Sequence, residues 1–142
     1  MQILAVVECL KTIVSAWNRE TLGAFHCNGG HYDYTPSVES EWSSTSNTAE
    51  NVAKVDGCVV GVCLTDETKA EICKQGLNET LLVHMPVDVV QCDDGDSNQV
   101  LMSLQTSHDS WSLCSDPSKR ETAKDKFHEK LQKYCKKYGV EF

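Results

Sequence analysis

Cys58-Val59-Val60-Gly61-Val62-Cys63-Leu64 decides how the rest of this chain is read. The run is apolar throughout, and the Asp56-Gly57 turn signal precedes it. A short continuous apolar run rich in β-branched residues predicts a strand buried on both faces at the centre of a sheet. On such a strand Cys58 and Cys63, five apart, point to opposite faces and do not pair with each other.

Working outward, the flanking segments supply partners for that strand. Upstream, residues 22–38 read as a hairpin: Leu22 to Cys27, then Asn28-Gly29-Gly30, then His31-Tyr32-Asp33-Tyr34-Thr35, ended by Pro36. Residues 39–50 are polar around a single Trp42 and read as a loop. Downstream, Asp66 is set to cap a short helix from Glu67 to Gln75, closed by Gly76. Further strands are expected over 79–92, broken by Pro86, over Val100 to Gln105, where Val100, Met102 and Leu104 alternate, and over Ser110 to Ser115. The acidic stretch Asp93 to Asn98 serves as a turn between two of them.

Both ends of the chain read as helices. Ile3, Val6, Val7, Leu10, Ile13, Val14 and Trp17 form one stripe over residues 2–18, with Cys9 on its flank. Asp116 is an N-cap with Pro117 at the first helical position. Ala123, Phe127, Leu131, Tyr134 and Tyr138 form the stripe of that last helix, Cys135 flanks it, and Gly139 stops it. The expected fold is therefore α+β: an antiparallel sheet of about five or six strands, with the N-terminal and C-terminal amphipathic helices packed on it. Residues 1–142 are expected to form a single disulfide-stapled domain.

The eight cysteines, at 9, 27, 58, 63, 73, 92, 114 and 135, carry the staple argument. They are even in number and widely spaced, and no two form a CxxC pair, a pattern that favours bridges in an oxidising compartment over a metal or redox motif. Connectivity stays open. Met1 to Val7 begins like the apolar core of a signal peptide, but Glu8 and Lys11 interrupt it and no basic segment precedes it. The chain is thus read as secreted, starting at its mature end, or else as cytoplasmic with reduced thiols. No run approaches the roughly 18 apolar residues of a membrane span. Net charge is −8, unevenly spread: residues 118–142 carry eight Lys/Arg against four acids, the remainder five against seventeen. An acidic body argues against nucleic acid as a partner.

Several patterns resemble catalytic or metal sites and then depart from them. His26, Cys27 and His31 lack the second ligand pair that structural zinc needs. Gly30-His31-Tyr32 resembles the Gly-His-Tyr around the catalytic histidine of papain-like deubiquitinating peptidases, but only Cys9 and Cys27 precede it and neither carries that family's cysteine box. Lys119 to His128 resembles the N-terminal helix of pancreatic-type ribonucleases. It lies at the other end of the chain, and that family's Cys-Lys motif is absent. Asp94, Asp96 and Asn98 fall at EF-hand ligand spacing, but Gln99 and Gln105 stand where a glycine and a bidentate glutamate belong. In the last helix, Glu121, Asp125 and Glu129 interleave with Lys119, Lys126, Lys130, Lys133 and Lys137 at salt-bridge spacing, which reads as a solvated face. Asn78-Glu79-Thr80 is a glycosylation sequon.

The expected function is binding without catalysis, with no cofactor and no metal. The target is a protein partner or a small apolar ligand held between sheet and helices. Trp42, Tyr32 and Tyr34 are the candidate contact residues, Trp42 first, because an aromatic in a polar loop can anchor an interface. An intracellular (viral or regulatory) interaction domain with reduced buried cysteines is the first alternative, and a small Cys/His hydrolase the second.

Overall fold

Two short parallel strands, each running directly into a long helix, organise the chain. The computed structural model describes residues 1–23, 27–28, 31–32, 57–74, 88–112 and 114–142. In chain order the elements are β1 (Gln2–Leu4), α1 (Val6–Asn18), β2 (Cys27–Asn28), β3 (His31–Tyr32), α2 (Val59–Cys63), α3 (Asp66–Lys74), β4 (Val90–Cys92), α4 (Gly95–Ser112) and α5 (Pro117–Tyr138).

The described residues are mostly helical, and this overturns the expected antiparallel sheet of five or six strands. The sheet in the core is a parallel pair, β1 with β4, in register Gln2↔Val90, Ile3↔Gln91 and Leu4↔Cys92. A separate antiparallel pair joins β2 to β3, with Cys27 opposite Tyr32 and Asn28 opposite His31. That pair falls within the hairpin read from the sequence. The expected strand at 79–87, the loop at 39–50 and the sequon at 78–80 lie outside the described residues.

The deciding run is α2, not a strand. An apolar stretch this short carries no period that separates a buried helix turn from a buried strand. The local chemistry tips the balance. Cys58 is the N-cap, its Sγ accepting from the Gly61 N–H at 3.3 Å, and the Val62 N–H donates to the Cys58 carbonyl at 3.0 Å. Val59 and Val60 are wholly buried, so the apolar run is satisfied without a sheet. Helix α3 starts one residue earlier than Glu67, because Thr65 caps it: the Thr68 N–H donates to Thr65 Oγ1 at 3.2 Å.

The segments read as an acidic turn and two strands, Val100 to Gln105 and Ser110 to Ser115, form α4 and its exit. Val100, Leu101, Leu104, His108 and Trp111 are all buried, a helical spacing that runs through the apparent alternation of Val100, Met102 and Leu104. Asp94 caps this helix, accepting from the Ser97 N–H at 2.8 Å. Ser97 in turn donates through Oγ to Asp93 and accepts from the Val6 N–H at 3.2 Å. One serine thereby ties together the starts of α1 and α4, beside the ends of the two parallel strands.

At the N-terminus the helix begins at Val6, not residue 2, because Gln2 to Leu4 pair with β4. The outer edge of β1 is covered by its own side chain: Gln2 Nε2 donates to the Cys63 carbonyl at 2.7 Å, and Gln2 Oε1 accepts from the Thr65 N–H at 2.9 Å. Helix α5 has the expected boundaries. Asp116 accepts from the Ser118 and Lys119 N–H groups, and Gly139 ends the helix at φ 69° with the Val140 N–H donating to the Cys135 carbonyl. Its most buried face is Phe127, Leu131 and Cys135, with Tyr134 and Tyr138 only partly covered. Cys9 and Cys135 therefore sit within the core and not beside it. The six cysteines whose side chains are described (9, 58, 63, 92, 114 and 135) are free thiols.

Candidate functional site

Where α1, α4 and α5 meet, aromatic rings gather. Trp17, from the last turn of α1, stands edge-on to Trp111 of α4 at 6.4 Å, tilts against Phe127 at 5.5 Å and stacks on His128 at 5.1 Å and 15°. His128 also meets Phe142 at 5.2 Å. The sequence forms the cluster because each helix puts an aromatic on its buried stripe near the same end of the bundle.

A cavity of about 390 Å³ opens beside these rings, lined by Trp17, Asn18, Glu20, Leu22, Trp111, Arg120 and Lys124. Lys124 Nζ lies 5.5 Å from the Trp17 ring and 5.4 Å from the Trp111 ring, and the Arg120 guanidinium lies 5.8 Å over Trp111. Two cations on aromatic faces, beside Leu22 and Asn18, make a mouth of mixed polarity with its positive groups against the indoles. Glu20 is the acidic member of the lining. Trp111 is 4% exposed and its indole Nε1 finds no partner among the described residues, nor does His108 Nε2 behind it.

Behind the rings a polar chain fastens α4 to α2. The Val60 N–H donates to Gln105 Oε1 at 2.9 Å, Gln105 Nε2 donates to Asp109 Oδ1 at 2.8 Å, and His108 Nδ1 lies 3.2 Å from the same oxygen. Gln105 and His108 are fully buried while Asp109 reaches solvent.

The thiols form a second cluster. Cys63 Sγ reaches the Cys9 carbonyl at 3.8 Å and donates to the Val59 carbonyl at 3.3 Å. The neighbouring Cys63 side chain draws the Cys9 thiol below its usual range, against burial. The same pairing, with burial, holds Cys63 well above it. Burial also pushes Cys58 and Cys92 up to about 11. A buried thiol with a raised pKa is the reverse of an activated nucleophile. Among the described residues no group of three His, Cys, Asp or Glu side chains could hold a metal ion. Asp94, the first residue of the EF-hand spacing, is spent on the Ser97 N–H, and its neighbour Asp93 on the Ser97 hydroxyl.

Of the residues expected to bind, Trp42 and Tyr34 lie outside the described residues, and Tyr32 stands opposite Cys27 in the β2–β3 pair. The cavity residues were visible only in part. Trp17 sits on the α1 stripe, but Trp111 read as a strand residue, which separated it from Trp17, and Lys124 stood only inside the ribonuclease-like string from Lys119 to His128. No protein-family model matches the chain, and neither a curated protein nor a solved structure shows significant similarity to it.

Proposed function

We propose that this chain is a binding domain that works without covalent chemistry and seats a small, largely apolar ligand with an anionic end in the cavity between α1, α4 and α5. The observation that carries the reading is Lys124, whose ammonium group lies over both tryptophan rings at the rim. The cavity volume, about 390 Å³, is of the size that takes small molecules. In this reading the ligand's apolar body lies on the indoles and its anion meets Lys124 and Arg120. The hydrolase alternative has less support: of the two cysteines that precede His31, Cys9 is buried in the core, and neither carries the cysteine box of the resembled family. Cysteine usage keeps an oxidising, extracellular compartment as the proposed location.

The test uses 8-anilinonaphthalene-1-sulfonate, an aromatic anion that accepts energy from tryptophan. It is expected to bind saturably at one site with energy transfer from the indoles. Lys124→Ala should weaken it by about 1–2 kcal/mol, roughly five- to thirty-fold, the worth of a partly desolvated cation on aromatic rings. Lys136→Ala, on the exposed last turn of α5, should not. Binding that never saturates, or that is equal in the two variants, would sink the reading.

A further inference from the structure

Helix α5 faces a second concavity. At about 100° per residue, Lys119, Thr122, Lys126 and Lys130 fall on one stripe, about a third of a turn from Arg120 and Lys124. This stripe forms one wall of a groove of about 530 Å³, and α4 forms the other. Five lining residues carry hydroxyls, three carry ammonium groups and none carries a carboxylate.

In a chain of net charge −8, that composition is a segregation. The acids of α5, Glu121, Asp125 and Glu129, fall on the neighbouring stripe, about a third of a turn round, and none of them lines the groove. Among the described residues no ion pair holds Lys119, Lys126 or Lys130, although helical spacing offered Lys126 a partner in Glu129. Lys119 and Lys126 are exposed, as on a solvated face, but without the salt bridges that the spacing offers. The hydroxyls add directional donors and acceptors. Ser110 Oγ and Thr122 Oγ1 donate back to their own helices, at Thr106 and Ser118 carbonyls, and keep their lone pairs for the groove. Ser107 and Ser118 have no hydrogen-bond partner for their hydroxyls among the described residues. Unpaired ammonium groups converging in one groove attract an oxyanion, and neutral hydroxyls around them suit a polyhydroxylated body.

We propose that the groove between α4 and α5 binds a small sugar ester of phosphate or sulfate, its oxyanion held by Lys126 and Lys130 and its hydroxyls by the serines and threonines of both helices. The site is independent of the tryptophan cavity, so either assignment can fail alone. Isothermal titration of the whole chain at low salt with glucose 6-phosphate, glucose 6-sulfate and glucose tests it. One or both esters should bind at least ten-fold more tightly than glucose, and the tighter ester names the anion. Lys126→Gln with Lys130→Gln should weaken the ester at least ten-fold. The same change of charge at Lys133→Gln with Lys136→Gln, outside the groove, should alter it less than two-fold, as should Lys124→Ala. All of these lysines are at the surface or only partly covered, so the variants should keep the parent melting curve. No heat with either ester, glucose binding as tightly, or equal loss in the two double variants each overturns the proposal.

Discussion

Glu20 is the residue whose backbone and side chain pull in different directions. It sits at φ 58°, just past the end of α1, where the Glu20 N–H donates to the Trp17 carbonyl and the Thr21 N–H to the Ala16 carbonyl. That is the Schellman closure that α5 makes with Gly139, here with a side chain in the left-handed position. Glu20→Gly should therefore stabilise the protein by about 0.5–1 kcal/mol in urea unfolding, since glycine adopts this φ freely. Loss of stability would mean that the carboxylate contributes more at the cavity mouth than the backbone loses. Cys58 makes a second residue-scale argument. Its thiol moves from 9.0 to about 11, so the folded chain keeps this proton after the unfolded chain has lost it. Stability is then full below about pH 9 and falls between about pH 9 and 11, by up to roughly 2–3 kcal/mol from this group. Cys58→Ser keeps a capping oxygen and should make that alkaline decline shallower. An unchanged slope would show that Cys58 does not titrate with unfolding.

At the scale of the element, the fold turns on how α2 is held. It is only five residues long, too short to persist by helical propensity, and it depends on Cys58 at its start and Gln105 across from it. Gln105→Leu should cost about 1–3 kcal/mol in chemical denaturation, because the Val60 N–H is left buried without an acceptor. A cost near zero would show that water or another group replaces the amide. The same element explains what could be read in advance. The boundaries of α5 were legible because Asp116, Pro117 and Gly139 act within one turn of where they stand. Helix α2 was not, because a run apolar on all sides takes its shape from what surrounds it. Helix α4 was misread for a subtler reason: Val100, Met102 and Leu104 alternate, while the burial of Leu101, His108 and Trp111 follows the longer period. That misreading hid the candidate site as well, since Trp111 meets Trp17 only if residues 95–112 are helical. The groove lysines and their stripe were visible in the spacing, but that this stripe faces a wall of hydroxyls depends on which side of α5 packs against α4.

At the scale of the molecule, the cysteines are the unresolved term in stability, and counting constrains them. Cys27 and Cys73 can engage at most two of the other six, so four bridges would require at least two among Cys9, Cys58, Cys63, Cys92, Cys114 and Cys135. Of these, the Cys63 thiol lies beside Cys9, its Sγ 3.8 Å from the Cys9 carbonyl, linking α1 to α2 across a sequence separation of 54. Cys9 is also the thiol drawn downward, so it should react first with a disulfide such as oxidised glutathione, releasing one glutathione. Cys63 should then attack Cys9 Sγ and release the second. Closing a loop of this length is worth about 4 kcal/mol if the bond forms without strain. Incubation with oxidised glutathione, followed by peptide mapping without reduction, should therefore show the Cys9–Cys63 pair before any other bridge among the six, with a raised melting temperature. Cys9 left as a stable glutathione adduct, or a first bridge to Cys92 instead, would mean that packing of α1 on α2 holds the two sulfurs too rigidly to close.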